Sequence, residues 1–159
     1  MRATLDAVDL RLLAALQVDA ARSTAELAEL VGISQSVCWR RIQRFRSEGI
    51  IKAQVALVDR EAVGLNAQVF AEVKLSAHGR SNLAEFSEAI RGFPEVLECF
   101  VLMGRFDFLL RIVAEDIKAY ERFFFDKLSQ LPGIQEINSI VAMSEIKSTT
   151  AMQLPQSGG

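Results

Sequence analysis

The chain has 159 residues, half of them hydrophobic and 24% charged, with a net charge of −2 at pH 7. That composition excludes a disordered polypeptide and fits one ordinary domain or two small ones. No apolar run approaches the roughly 20 residues that cross a bilayer, and Asp6 and Asp9 interrupt the stretch a signal peptide would need, so a cytoplasmic protein with no membrane partner is expected.

Cys38 and Cys99 stand far apart and the only histidine is His78, beside Gly79 in an expected loop, so neither a disulfide framework nor a metal cluster is indicated. No metal and no cofactor are expected. The charge is uneven along the chain. Residues 1–60 hold nine Lys+Arg against seven Asp+Glu, a balance of +2, while residues 61–159 hold nine against thirteen, a balance of −4. A basic first part in an acidic protein points to a polyanionic partner for that part.

Asp6 and Asp9 precede an apolar stripe of Val8, Leu12, Leu13 and Leu16, which predicts a first helix with acids at the positive end of its dipole. Ser23 and Glu26 have capping-box spacing, and Leu27, Ala28 and Val31 follow at helical intervals up to Gly32, giving a short second helix. Ser34 can cap a third helix over Gln35 to Glu48, closed by Gly49. Two short helices around a glycine-containing turn are the signature of a helix-turn-helix.

Placed at 100° steps, Cys38, Ile42 and Phe45 of the third helix share one side, while Ser36, Arg40, Gln43 and Ser47 share the other, flanked by Trp39 and Arg44. Arginine can bond guanine bidentately and glutamine adenine, and serine and arginine suit phosphate oxygens. The candidate DNA contacts are Ser34, Gln35, Ser36, Trp39, Arg40, Gln43, Arg44 and Lys52; Arg41 falls near the buried edge and reads as an intramolecular tie. A short basic amphipathic helix is equally the solvated face of an ordinary bundle. The β-prone run Ile50 to Val58 directly after it, similar to the wing of a winged helix-turn-helix, tips the reading toward double-stranded DNA.

Residues 59–66 lack a clear period and read as a linker between a DNA-binding domain, 1–58, and a second domain, 67–147. Gln68 to Leu75 alternates as a half-buried strand, Ser81 to Arg91 carries Leu83, Phe86 and Ile90 at helical spacing, and Pro94 follows. Val96 to Met103 and Phe106 to Val113 read as strands joined at Gly104-Arg105. Asp116 opens a helix bearing Ile117, Tyr120, Phe123, Phe124 and Leu128, ended by Pro132-Gly133, and Ile134 to Met143 supplies a fourth strand. The order βαββαβ is that of a ferredoxin-like sandwich, so the fold class is α+β. An RNA platform would need stacking aromatics in an RNP pattern, which is not seen. No phosphate-cradling loop or metal-ligand spacing supports an enzyme. Residues 148–159, ending Gln156-Ser157-Gly158-Gly159, read as a flexible tail.

The chain resembles the Lrp/AsnC (leucine-responsive, feast/famine) regulators along nearly its whole length. Leu5-Asp6-Ala7-Val8-Asp9 with Leu12-Leu13 looks like the family's first helix, Glu26-Leu27-Ala28 to Gly32-Ile33-Ser34 like its second helix and turn, and Cys38-Trp39-Arg40-Arg41-Ile42 with Glu48-Gly49-Ile50-Ile51 like its recognition helix and wing entry. Pro94-Glu95-Val96, Gly104-Arg105-Phe106-Asp107-Phe108, Leu131-Pro132-Gly133-Ile134 and Lys147-Ser148-Thr149-Thr150 look like its sensing domain. The resemblance implies a sequence-specific transcriptional regulator that forms homodimers, assembles to octamers or similar rings, and binds a small effector, often an amino acid, between dimers. It places effector contacts at Gly104, Arg105, Phe106 and Asp107 and at Asn138, Ser139 and Ile140. A zwitterion needs an acceptor for its ammonium and donors for its carboxylate, which Asp107, the Gly104 turn and Ser139 could supply; an ordinary hairpin is the alternative reading of that turn. Arg105, Asn138-Ser139 and Phe45-Arg46 depart from residues common in the family, the last making the third helix more basic. An effector-blind architectural protein is the other functional reading.

Overall fold

In the computed structural model, which describes residues 4–81 and 83–155, capping side chains set the starts of the first three helices. In α1 (Ala7–Val18), the Asp6 carboxylate accepts from the Asp9 N–H at 2.7 Å and the Asp9 carboxylate accepts from the Asp6 N–H at 3.1 Å. Ser23 and Glu26 form the same reciprocal box at the start of α2 (Thr24–Val31), and Gly32, at φ 76°, ends it. Ser34 caps α3 (Gln35–Ser47) by accepting from the Val37 N–H. Leu12, Leu13, Leu27, Ala28, Val31, Cys38, Ile42 and Phe45 interlock as one core. Each large side chain so buried contributes about 1.5–3 kcal/mol before the entropy of ordering it is counted.

The chain divides into two compact units, one holding the residues up to Ala56 together with those from Lys147 on, the other Leu57–Ile146. The wing expected over Ile50 to Val58 does not form as a strand. A strand needs a neighbour to take its hydrogen bonds, and no other strand of this unit is among the described residues. Ile50 and Ile51 instead pack on the helical core, Gln54 Nε2 donates to the Ala20 carbonyl at 2.9 Å, and Val55 is left 72% exposed. The segment expected as a tail is in part tied down. Gln17 exchanges two hydrogen bonds with the Met152 backbone, at 2.8 and 3.1 Å, and Leu154 packs against the helical core. Residues 156–159 lie outside the described residues.

The second unit has β1 (Ala67–Leu75), α4 (Ala77–Ser81), α5 (Leu83–Arg91), β2 (Val96–Val101), β3 (Phe108–Ala114), α6 (Ile117–Asp126) and β4 (Ile134–Val141). The strands pair antiparallel in the order β2-β3-β1-β4, the expected ferredoxin-like arrangement. Some details differ from expectation: β2 ends at Val101 and β3 starts at Phe108, so residues 102–107 and not Gly104-Arg105 alone join them, and Leu128 lies in a short 3-10 turn after α6. A short helix replaces the loop expected at His78-Gly79, and the helix expected over Ser81 to Arg91 is described from Leu83, with residue 82 outside the described residues.

Alternation sorts the sheet into two faces. Val69, Ala71, Val73 and Leu75 with Phe108, Leu110 and Ile112 face the helices and pack on Phe86, Ile90, Tyr120, Phe123 and Leu128. Their neighbours Phe70, Glu72, Lys74, Leu109 and Arg111 occupy the opposite, helix-free face, joined there by Glu98, Phe100, Glu136, Asn138 and Ile140 of the flanking strands.

Candidate nucleic-acid and effector sites

α3 presents the residues that the sequence assigns to DNA in three different situations. Ser34, Gln35, Ser36, Trp39 and Arg40 are exposed at its start and along one side, with Trp39 at 57%. The Ser34 and Ser36 hydroxyls lie 3.3 Å apart, so a phosphate oxygen could meet both. Gln43 is half-buried. Lys52, beyond the helix, is exposed.

Arg44 is the exception, since it is expected as a cation available to phosphate. Its guanidinium donates to Asp9 Oδ2 at 2.6 Å, and its Nε is buried with no hydrogen-bond partner among the described residues. Arg41 is tied as expected, donating from Nη1 to Asp6 Oδ2 at 2.7 Å and to Asp9 Oδ1 at 2.5 Å. Asp9, expected only as an acid favourable to the α1 dipole, is 1% exposed and forms the centre of this cluster. Its three-residue spacing from Asp6, the spacing of a capping box, is the trace of this role in the sequence. The Asp9 backbone N–H first, and Arg41 second, hold the Asp6 carboxyl below its ordinary value. Arg40 makes no ion pair among the described residues and is exposed, so it is the cation of α3 best placed to meet DNA.

The residues assigned to an effector divide between turn and sheet. Gly104 and Arg105 are exposed at the tip between β2 and β3, while Phe106 is 8% exposed under the Arg105 guanidinium, which lies 5.1 Å from its ring centroid. Asp107 faces inward. Its Oδ2 accepts from the Leu75 N–H at 2.7 Å and its own N–H donates to the Val73 carbonyl at 2.9 Å, so it fastens the hairpin to the end of β1.

On β4, Asn138 lies opposite Glu72 and Ile140 opposite Phe70, both on the helix-free face; Asn138 donates to Glu72 Oε2 at 2.7 Å. Arg105 reaches the same strand through Glu136, at 3.3 Å. The turn and Asn138 therefore border one polar patch with Glu72 and Glu136. Ser139 does not join it. It lies opposite the core residue Ala71, on the helix side, and its hydroxyl sits 2.5 Å from the Tyr120 hydroxyl. Adjacent strand residues point to opposite faces, so Asn138 and Ser139 cannot meet one ligand from the same side of the sheet.

Comparison with known proteins places both units in one family. The AsnC-type helix-turn-helix domain model matches residues 5–46, and the Lrp/AsnC ligand binding domain model matches residues 68–152. The chain is 35% identical over 150 residues to the DNA-binding transcriptional activator DecR of Escherichia coli, covering 94% of this chain and 99% of that protein. It is 37% identical over 145 residues to the proline dehydrogenase transcriptional activator of Rhizobium radiobacter, covering 91% and 93%. Among solved structures, a transcriptional regulator from Neisseria meningitidis in complex with L-Met superimposes with a TM-score of 0.90 at 35% identity, covering 94% of this chain and 97% of that one. An AsnC family transcriptional regulator from Agrobacterium tumefaciens gives 0.88 at 38% identity, covering 95% and 97%. The family consists of regulators and not of enzymes. With an exposed, hydrogen-bonding α3 in one unit, a four-stranded sheet backed by helices in the other, and both family models matched in order along it, the chain belongs to the Lrp/AsnC family of transcriptional regulators.

Proposed function

We propose that this regulator reads a specific DNA site through α3 and responds to an amino acid bound in its second unit. The observation that carries the DNA reading is the exposed side of α3, where Ser34, Gln35, Ser36, Trp39 and Arg40 stand together with Gln43 at the edge. Arg40 and Gln43 supply base-edge chemistry, and the serines and Lys52 supply phosphate contacts. A twofold dimer would set two such helices in successive major-groove segments of a palindromic site, and further assembly to an octamer or similar ring would let DNA wrap or bridge.

The effector assignment keeps the turn Gly104, Arg105, Phe106 and Asp107 and, on β4, Asn138 and Ile140 of the helix-free face; Ser139, turned to the helix side against Tyr120, leaves it. Arg105 offers a side chain 74% exposed for a carboxylate, and Glu72 and Glu136 offer acceptors for an ammonium beside Asn138. Asp107 holds the turn in shape. The complex of the Neisseria meningitidis relative with L-Met supports an amino acid as the ligand class. The helix-free sheet face exposes Phe100 at 51% and Ile140 at 47% next to Phe70 and Leu109, and a second copy is the occupant proposed for it. Cytoplasmic residence belongs to the same proposal; no helix among the described residues is long and apolar enough to cross a membrane.

Selection of bound sequences from a random DNA pool, with light scattering in parallel and with L-Met and other amino acids added in turn, tests the reading. A palindromic consensus and an amino-acid-dependent shift in affinity or size are expected. Tight, unselective binding indifferent to every amino acid would replace it with an architectural DNA-binding protein.

A further inference from the structure

α3 carries four arginines, and their side chains are not equivalent. Arg41 and Arg44 turn toward α1, Arg46 reaches Gln54 at 3.4 Å, and Arg40 remains on the exposed side. The group that divides them is Asp9. Its carboxylate is 1% exposed and takes a guanidinium on each oxygen, Arg41 on Oδ1 and Arg44 on Oδ2, while Oδ2 also accepts the Asp6 N–H. With Asp6 completing the set, two carboxylates face two guanidinium groups and the cluster is close to neutral.

Burying a carboxylate is costly unless charged partners compensate it, and here both charged partners among the described residues come from the helix assigned to DNA, beside one N–H of the α1 cap. Around α3 Arg44 lies between the other two, about 60° from Arg41 and about 40° from Arg40, so the clamped arc adjoins the exposed one. Clamping Arg41 and Arg44 to α1 fixes the rotation of α3 about its own axis, and with it the direction in which Arg40 and Gln43 leave the helix. It also withholds two cations from the phosphate backbone, whose attraction is indifferent to sequence.

We infer that Asp9 is a positioning residue for DNA recognition, holding Arg41 and Arg44 against α1 so that α3 meets the duplex in one rotational setting with Arg40 directed outward. This rests on the assignment of α3 to DNA. Asp9 touches no base. It sets how much of the binding is sequence reading and how much is unselective attraction.

The test uses the full chain, its selected DNA site, and a random duplex, with affinities measured between 50 and 200 mM salt. Asp9→Asn keeps the size of the side chain and removes its charge. It is expected to tighten binding to the random duplex, to steepen the salt dependence by about one unit of log K per log salt as a released arginine reaches a phosphate, and to lower the ratio of specific to random affinity by roughly tenfold. Adding Arg44→Gln to Asp9→Asn should take the steeper slope away again, which a loss of stability alone would not do. An unchanged slope and ratio in Asp9→Asn, with only a lower melting temperature, overturns the inference. Should Asp9→Asn fail to fold, Arg44→Gln by itself decides: an unchanged slope supports the clamp, and a slope shallower by about one shows Arg44 on phosphate and overturns it. Arg40→Ala is measured alongside. If it leaves specific affinity intact, the assignment of α3 falls and carries this inference with it; if it weakens specific affinity, the Asp9→Asn outcomes bear on the clamp alone.

Discussion

Gly79 and Gly133 meet backbone to backbone: a Cβ placed on Gly79 would lie 2.3 Å from the Gly133 carbonyl oxygen, and one placed on Gly133 would lie 2.4 Å from the Gly79 Cα. The same Gly133 carbonyl accepts the Ser76 N–H at 2.8 Å, so the chain leaving β1 is pinned against the entry to β4. Gly133 also has φ +80°, a conformation that other residues rarely hold. Because the clash is with backbone, no side chain can move aside. Gly79→Ala is expected to cost about 3 kcal/mol, read as a melting temperature lower by on the order of 10 °C for the second unit.

Arg40 and Lys52 should separate two kinds of contact. Arg40→Ala is expected to cost about 1–3 kcal/mol on the selected site and to relax the preference at one base position. Lys52→Ala should weaken selected and random DNA alike and make the salt slope shallower by about one. Binding titrations on both duplexes at several salt concentrations check the pair; equal losses on both duplexes for Arg40→Ala would remove it from base reading.

Asp107 is expected to show its scaffolding role when its two simplest replacements are compared. Asp107→Ala removes an acceptor from the Leu75 N–H, costing about 1–3 kcal/mol, and loosens the turn that carries Arg105. Asp107→Asn keeps an acceptor and should melt within a few degrees of the parent chain. If the amino-acid response survives in Asp107→Asn and fails in Asp107→Ala, the carboxylate shapes the site; if both lose it with DNA affinity intact, its charge meets the ligand.

Phe100 lies on the helix-free face of the sheet, half exposed, opposite Leu109. A carboxylate there would be buried against apolar surface if two copies pack through this face. Phe100→Asp is expected to shift the chain toward monomer in light scattering while each unit keeps its helical and strand signature in circular dichroism. An unchanged mass would place the contact between copies elsewhere.

Acid should weaken the first unit through its caps. Asp6 is held below its ordinary value by the Asp9 N–H and by Arg41, and Glu26 by the Ser23 hydroxyl and N–H. A carboxyl whose folded value is depressed adds stability that is fully present above its unfolded value, about 4, and is lost as pH falls through the lower folded value. Thermal melts between pH 5 and pH 2 should fall steadily in the parent chain, and Asp6→Asn should flatten part of that fall. A parallel fall in both would deny Asp6 a share.

Much of this arrangement is legible in the sequence because caps and turns act locally. Ser23 with Glu26, Ser34, and Gly32 mark helix ends from side chains within a few residues, and alternation from Gln68 to Leu75 finds β1 almost to the residue. What misleads is partnership at a distance. Ile50 to Val58 has the composition of a strand, yet a strand forms only beside another, and local sequence cannot say whether one is present. The effector set groups Asn138 with Ser139 by adjacency, although the period of two already separates them. Arg44 sits on the exposed arc of an ideal helix, and only the fold brings Asp9 against it. The acid at position 9 is readable as favourable to a helix dipole; its burial depends on α3 being clamped over it.

The bonds between Gln17 and Met152 join positions 135 residues apart. Those links have a consequence for the order in which the molecule is made. During synthesis the three helices leave the ribosome early and can assemble on their own core, but the stretch carrying Met152 and Leu154 does not exist until the sheet-bearing half has been translated. The first unit thus spends that interval with one flank bare, and its final covering arrives only once the second unit has already been made.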